Sequence, residues 1–229
     1  FPHQAITDLG YQVNFHGQKG HYGVALLSKT PAIAVSRGYP TDDEDAQRRM
    51  IHGQYLINGQ TVHVINGYFP QGESRSHPTK FPAKEKFYAD LLAYLNASFD
   101  ADDLVAVMGD MNVAAADIDV GIKPENAKRW LKTGKSAFLP EEREWLQTLQ
   151  DWGLTDSYRS MNPQDDRSYS WFDYRSRGFE QDPQSGLRID LILASDPAMS
   201  DLVGTGIDFD ARAFEKPSDH CPIWADLNL

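Results

Sequence analysis

Four short stretches carry the residue types that chemistry needs: NGYFPQG at 66–72, GDMN at 109–112, RIDLIL at 188–193 and KPSDHCP at 216–222. Asp110 and Asn112 stand two residues apart, so in extended backbone they point to the same side. A hard cation such as Mg²⁺ takes oxygen ligands and usually only one or two carboxylates, with water and substrate phosphate completing its shell. An Asp beside an amide suits that role, although Gly-Asp-Met-Asn is also ordinary turn chemistry. Asp190 lies between Ile189 and Leu191. It is either a carboxylate on the solvent face of an alternating strand or a buried one that needs a partner. His220 follows Asp219 and reads as a phosphate donor or an acid/base, with Asp190 or Asp219 orienting its ring, or else as part of a plain loop pair. Tyr68 and Gln71 offer a phenol and an amide to phosphate oxygens, the alternative being a core Tyr. In SYSWFDYRSRG, residues 168–178, Trp171, Phe172 and Tyr174 crowd against Arg175 and Arg177. Aromatics mixed with Arg suit stacking on exposed bases and contacts to phosphate, or a strand packing its rings inward. Three carboxylates, an Asn, a His and a Tyr near strand ends together form a set for metal-assisted phosphodiester hydrolysis.

Strands must present these groups. Segments rich in Val, Ile and aromatics, bounded by Gly, Pro or Asp, predict strands at 11–15, 22–27, 33–36, 61–66, 104–108, 188–194 and 223–227. HVING and LVAVMGD read as buried on both faces. Phe87, Leu91 and Leu95 recur at four-residue spacing and predict a helix over 82–98. A second helix is expected from Pro140, a first-position residue, to Trp152 before the stop at Gly153. A shorter helix and a basic loop are expected between them. The uneven helices argue for a mixed α/β fold with two layered sheets and flanking helices, in one domain over 1–229.

The chain has 229 residues and a net charge of −11. Charge alone disfavours a nucleic-acid partner, whose binders carry a basic footprint. Positive charge is nonetheless dense in three places: Arg48-Arg49; Arg75, His77, Lys80 and Lys84; and Lys123, Lys128, Arg129, Lys132 and Lys135. Each reads first as a solvated face. No apolar stretch approaches the ~20 residues that span a bilayer. The lone Cys221 excludes an internal disulfide and suits a reducing, cytoplasmic compartment. It reads as a small buried thiol rather than a nucleophile beside His220.

FHGQKGHYGVALLSK, VINGYFPQGESRSHPTKFPAKEKFY, MGDMNVAAADIDVG, KRWLKTGKSAFLPEEREW, SWFDYRSRGF, GLRIDLILAS and EKPSDHCPIWA run nearly end to end. Together they resemble the bacterial exonuclease III family of the endonuclease/exonuclease/phosphatase superfamily. The resemblance implies a four-layer αββα sandwich of two mixed sheets. It implies a Mg²⁺- or Mn²⁺-dependent enzyme on duplex DNA with abasic sites or blocked 3′ ends, working as a monomer away from membranes. The implied activities are 3′-to-5′ exonuclease, abasic-site endonuclease and 3′-end-cleaning phosphodiesterase. Carried over, Asp110 activates the attacking water at the metal, Asn112 binds metal or phosphate, Tyr68 contacts the phosphate and Asp190 tunes the site. Asp219 contributes to metal binding, and His220 binds the scissile phosphate or acts with Asp219 in acid/base work. Arg49 and Gln71, with Trp171 and Phe172 by the abasic pocket, fall where the family meets DNA.

The family opens with a strand ending in Asn, a helix, and a strand ending in a metal-binding Glu, and this sequence begins after them. The expectation is therefore a chain lacking two core strands, with an open edge and weakened metal binding, and poorly active alone. Two other readings compete: a superfamily phosphatase acting on inositol phosphates or sphingolipids, and a non-catalytic DNA-binding relic.

Overall fold

The computed structural model describes residues 1–100 and 102–229. After helix α1 (His3–Asp8), strands β1 (Gln12–Gly17) and β2 (Gly23–Ser28) form an antiparallel ribbon. Strands β3 (Ala34–Arg37), β4 (Met50–Ile57), β5 (Gln60–Tyr68), β6 (Leu104–Asp110), β7 (Leu154–Asp156) and β8 (Asp190–Ser195) build a mixed sheet in the order β3-β4-β5-β6-β8-β7. A second ribbon pairs β9 (Leu202–Ile207) with β10 (Ile223–Leu227). The longer helices are α2 (Lys80–Ser98), α3 (Pro124–Thr133) and α4 (Pro140–Asp151); α5 (Ser157–Met161), α6 (Asp196–Ser200) and α7 (Phe209–Arg212) are short.

One face of the six-stranded sheet carries the main core. Helix α2 presents Phe87, Tyr88, Leu91 and Leu95, and α4 presents Leu146 and Leu149, against Val105, Val107, Leu191 and Leu193 of the sheet. For α2 the spacing that predicts the helix is the spacing of the residues it buries. The ribbons cover the other face, β2 over β4 and β5, and β10 over β8. This is the expected mixed α/β class, with the second layer present as two ribbons rather than one continuous sheet. Strands β2 and β10 are not hydrogen-bonded to each other. An apolar groove of about 610 Å³ runs between the ribbons, lined by Leu26, Val64, Met108, Ile192 and Ile223 among others. It corrects the reading of LVAVMGD as buried on both faces. Val105 and Val107 are fully buried toward the helices, whereas Ala106 and Met108 are only half-buried.

Strand β4 was not expected from the sequence. Its pairing with β5 closes on Asn58 and Gly59, both with positive φ, as a two-residue Asn-Gly hairpin requires. On this hairpin, His52 Nδ1 lies 2.8 Å from the Tyr94 hydroxyl and Nε2 lies 3.0 Å from His63 Nδ1. Burial, with His63 alongside, lowers the His52 pKa to about 4. The folded chain therefore binds fewer protons here than the unfolded chain, whose His titrates near 6.5. Stability should fall as pH drops from about 6.5 to 4. Urea melts across that range test this, and His52→Asn should flatten the slope.

Candidate active site

The register of the sheet sets the site. Tyr68 ends β5, Asp110 ends β6 and Asp190 begins β8, and pairing places Tyr68 opposite Asp110 and Asp110 opposite Asp190. Residues far apart in sequence thus share one row across three neighbouring strands. Close approach makes the row possible: Gly109 has φ +139°, and a Cβ there would lie 1.9 Å from the Gly67 carbonyl oxygen. His220 comes from the loop before β10 and its Nδ1 lies 2.8 Å from Asp190 Oδ2. Carboxylate oxygens of Asp110 and Asp190 and a ring nitrogen of His220 lie within 4.8 Å of one another.

Asn112 turns the chain back beside Asp110 with a left-handed φ of 54°. Its N–H donates to Asp110 Oδ1 at 2.9 Å, and its Nδ2 donates to Asp110 Oδ2 at 2.8 Å and to the Phe69 carbonyl at 3.0 Å. The Asn112 carbonyl in turn accepts from Lys84 Nζ at 2.8 Å. Lys84 is fully buried and also donates to Ser136 Oγ and to Glu142 Oε1 at 2.6 Å. Glu142 Oε2 accepts the N–H groups of Ala137 and Leu139, capping α4. The solvated-face reading of Lys84 is thereby corrected. Its charge is spent on a buried network that joins α2, α4 and the TGKSAFLPEE stretch to the GDMN turn.

Charge in the site is unbalanced toward the acid. Burial and the facing Asp190 push the Asp110 carboxyl up to about 7, against the pull of His220, the Asn112 N–H and Lys84. Burial would lower the His220 pKa, but the Asp190 hydrogen bond and the charges of Asp190, Asp110 and Asp219 raise it to about 9. Two carboxylates forced together in a partly dry site are what a divalent cation relieves. Asp110 and Asp190 form a hard-oxygen donor pair of the kind such an ion takes, and His220 closes the cluster.

The other expected residues are placed variously. Asp219 lies outside the cluster; its Oδ2 accepts from Trp171 Nε1 at 3.0 Å, which anchors that indole beside the site. Trp171 also bridges to His220 through the backbone. Phe172, expected at the DNA, is fully buried against Tyr169, Phe179 and Phe209, so it supports Trp171 from within. Arg49 is 7% exposed, lies over the rings of Tyr22 and Tyr68, and donates to the Tyr68 carbonyl at 2.9 Å. It orients the phenol rather than projecting to solvent. The Gln71 amide oxygen accepts the Glu73 N–H at 2.8 Å within its own loop. Cys221 is buried, and burial pushes its thiol up to about 12, so it is no nucleophile at neutral pH.

Ser170 escaped the sequence reading. Its buried Oγ accepts the N–H groups of Ile189 at 3.0 Å and Asp190 at 2.9 Å, and its carbonyl accepts from Cys221 N at 2.7 Å. One residue thus holds both the Asp190 strand and the His220 loop. Ser170→Ala leaves two buried donors with no acceptor, which costs about 1–3 kcal/mol per group. We expect roughly tenfold slower cleavage through loss of the Asp190–His220 alignment. Single-turnover rates at several pH values and urea melts check this.

A family model described as "Endonuclease/Exonuclease/phosphatase family" matches residues 2–220. The chain is 57% identical over 99% of its length to exodeoxyribonuclease III of Haemophilus influenzae, covering 84% of that protein. It is 28% identical to an exodeoxyribonuclease of Bacillus subtilis, over 94% of this chain and 78% of the relative. Among solved structures, a Neisseria 3′ phosphatase bound to a product DNA hairpin superposes with a TM-score of 0.88 and 36% identity, over 100% of this chain and 84% of the other. An AP endonuclease from Archaeoglobus fulgidus does so with a TM-score of 0.88 and 33% identity, over the same shares. The chain belongs to the endonuclease/exonuclease/phosphatase family, as a DNA repair nuclease of the exonuclease III type.

Proposed function

We propose that this chain is a single-domain, monomeric hydrolase that cleaves DNA phosphodiesters at abasic sites and blocked 3′ ends with Mg²⁺ or Mn²⁺. The shared row of Tyr68, Asp110 and Asp190, closed by His220, is the observation that carries this reading. Asp110, Asp190 and Asn112 would hold the ion. A bound divalent cation would offset phosphate charge and stabilise the leaving oxygen. Hydrolysis forms a bond from water oxygen to phosphorus and breaks the bond to O3′. Asp110, held ionised once the ion is bound, would orient the attacking water and take its proton. His220, charged at neutral pH and steadied by Asp190, donates to the scissile phosphate from its free Nε2. The Tyr68 hydroxyl adds a donor where negative charge grows, while both N–H groups of the Asn112 amide stay on Asp110 and the Phe69 carbonyl. Asp219 enters by holding Trp171 at the edge of the site.

Among the described residues no helix is long and apolar enough to cross a membrane. The test is an abasic-site duplex and a phosphoinositide, each incubated with Mg²⁺ and with EDTA. Cleavage of the duplex alone, and only with metal, is expected. Phosphate release from the lipid headgroup would favour the phosphatase reading, and DNA binding with no cleavage in either condition would favour the relic.

A further inference from the structure

Arg212, on α7, is a buried cation held by rings rather than by an acid. It is 4% exposed and its Nε has no hydrogen-bond partner. Among the described residues, no carboxylate lies within 4.0 Å of it. Its guanidinium carbon lies 5.2 Å from the centroid of the Tyr174 ring and 4.8 Å from that of Phe179. A cation taken out of water is costly unless something replaces the solvent, and two ring faces do so here. The charge also reaches Cys221, beside His220, where it partly offsets the burial that raises the thiol.

The rings belong to the loop that follows Trp171, and Arg212 belongs to the segment that leads to His220. Arg212 therefore joins two segments that frame the site. The His220 loop is tied to the first segment at three points. Phe172 N donates to the Asp219 carbonyl at 2.9 Å, Cys221 N donates to the Ser170 carbonyl at 2.7 Å, and the Tyr174 hydroxyl donates to the Pro217 carbonyl. The first two are backbone contacts to residues 170–172. The third depends on where the Tyr174 ring stands. That ring is half-exposed, so packing alone does not place it, and Arg212 is the charge it rests on. Lys216, next to Pro217, has a left-handed φ of 54°. A non-glycine residue keeps that conformation only when its surroundings impose it.

We propose that Arg212 is a positioning residue for His220. Through Tyr174 it fixes Pro217 and the turn at Ser218, whose Oγ accepts the His220 N–H at 3.0 Å. It thereby sets where the imidazole stands against Asp190, 2.8 Å away. Phe179, packed on Phe172 at 5.1 Å, ties the same guanidinium to the layer behind Trp171. This inference rests on the nuclease reading and adds to it a residue that acts through His220.

The experiment compares the natural chain with Arg212→Met, Arg212→Lys and Tyr174→Phe. Proton NMR of the metal-free chains reads the His220 Nδ1–H held by Asp190, a downfield resonance assigned by its loss in His220→Asn. Arg212→Met should lose or broaden that resonance, and Arg212→Lys, which keeps the charge, should retain it. On an abasic-site duplex with Mg²⁺, Arg212→Met should slow single-turnover cleavage roughly tenfold, with duplex affinity in EDTA within about twofold of the natural chain. Arg212→Lys should recover most of the rate. Tyr174→Phe keeps the ring on Arg212 and removes only the hydroxyl at Pro217, from a half-exposed position. It should weaken the resonance and slow cleavage in the same direction. An unchanged resonance in Arg212→Met, or in Tyr174→Phe should the first chain not fold, overturns the positioning role. So does a loss of rate that only matches the unfolded fraction in thermal melts, or a natural chain without the resonance. A natural chain that shows the resonance but cleaves nothing overturns the nuclease reading, and the resonance then decides the role of Arg212 by itself.

Discussion

Asp110→Asn is expected to lower the single-turnover cleavage rate at least about a thousandfold while making the metal-free chain more stable. The two effects have one cause. Asp110 is buried and faces Asp190, so its carboxyl is raised to about 7 from an unfolded value near 3.8. The folded chain then binds more protons here than the unfolded chain between those values. The sign follows: the metal-free protein gains stability as pH falls from above 7 toward 4. At pH 8 the ionised carboxylate is a burden, and the amide removes it; its oxygen keeps the Asn112 N–H, while its NH2 replaces the Oδ2 that accepted Asn112 Nδ2, which offsets part of the gain. Catalysis needs the burden, because an amide takes no proton from water and carries no charge to balance a cation. Urea melts at pH 8 in EDTA should show a gain of order 1–3 kcal/mol, discounted because His220 and Asp190 share the charge. A variant that is less stable, or one that still cleaves at the natural rate, would sink this assignment.

Lys84→Met is the second large effect, and it runs the other way on stability. Lys84 and Glu142 are both fully buried with side chains 2.6 Å apart, and removing one charge strands the other. Breaking a buried pair costs about 3–5 kcal/mol. The same ammonium supports the Asn112 carbonyl, where the backbone stands in the left-handed region at φ 54°. A non-glycine residue there persists only when its surroundings hold it. Cleavage should therefore slow by roughly ten- to a hundredfold even in the fraction that stays folded. Adding Glu142→Gln removes the stranded charge and keeps an acceptor for the α4 cap. The double variant should regain most of the stability but not the rate, because the Asn112 carbonyl still lacks its donor. Melts and single-turnover rates of both variants separate the two roles, and full recovery of rate in the double variant would refute a positioning role.

Much of the site was legible because its residue types are costly away from a partner. A carboxylate inside RIDLIL has to be paired or solvated, and it is paired, with His220. The helices were legible because Phe87, Leu91 and Leu95 repeat at the helical period and are the residues buried. Strand β4 was missed because RRMIHGQYLI lacks strong alternation and begins with two charges. Its clearest signal was the Asn58-Gly59 turn beyond it. The family resemblance placed Phe172 and Arg49 toward DNA, and nothing in the type of an aromatic or an arginine marks the burial the structure shows. Ser170 carries still less: a serine that accepts two N–H groups looks like any other.

Taken alone, the sequence determined which groups were available and which segments ended in them, because apolar runs and turn residues dictate local structure. It also held the match to a DNA repair nuclease family across nearly the whole chain. Only the tertiary structure decided which groups meet. Strand register is a long-range pairing, so it alone put Tyr68, Asp110 and Asp190 in one row and left Asp219 on Trp171. Burial decided the charges in the same way. Two lysines ended with opposite fates, Lys84 locked to Glu142 inside and Lys135 left over the Trp130 ring, because the surroundings that solvate or pair a charge come from distant segments.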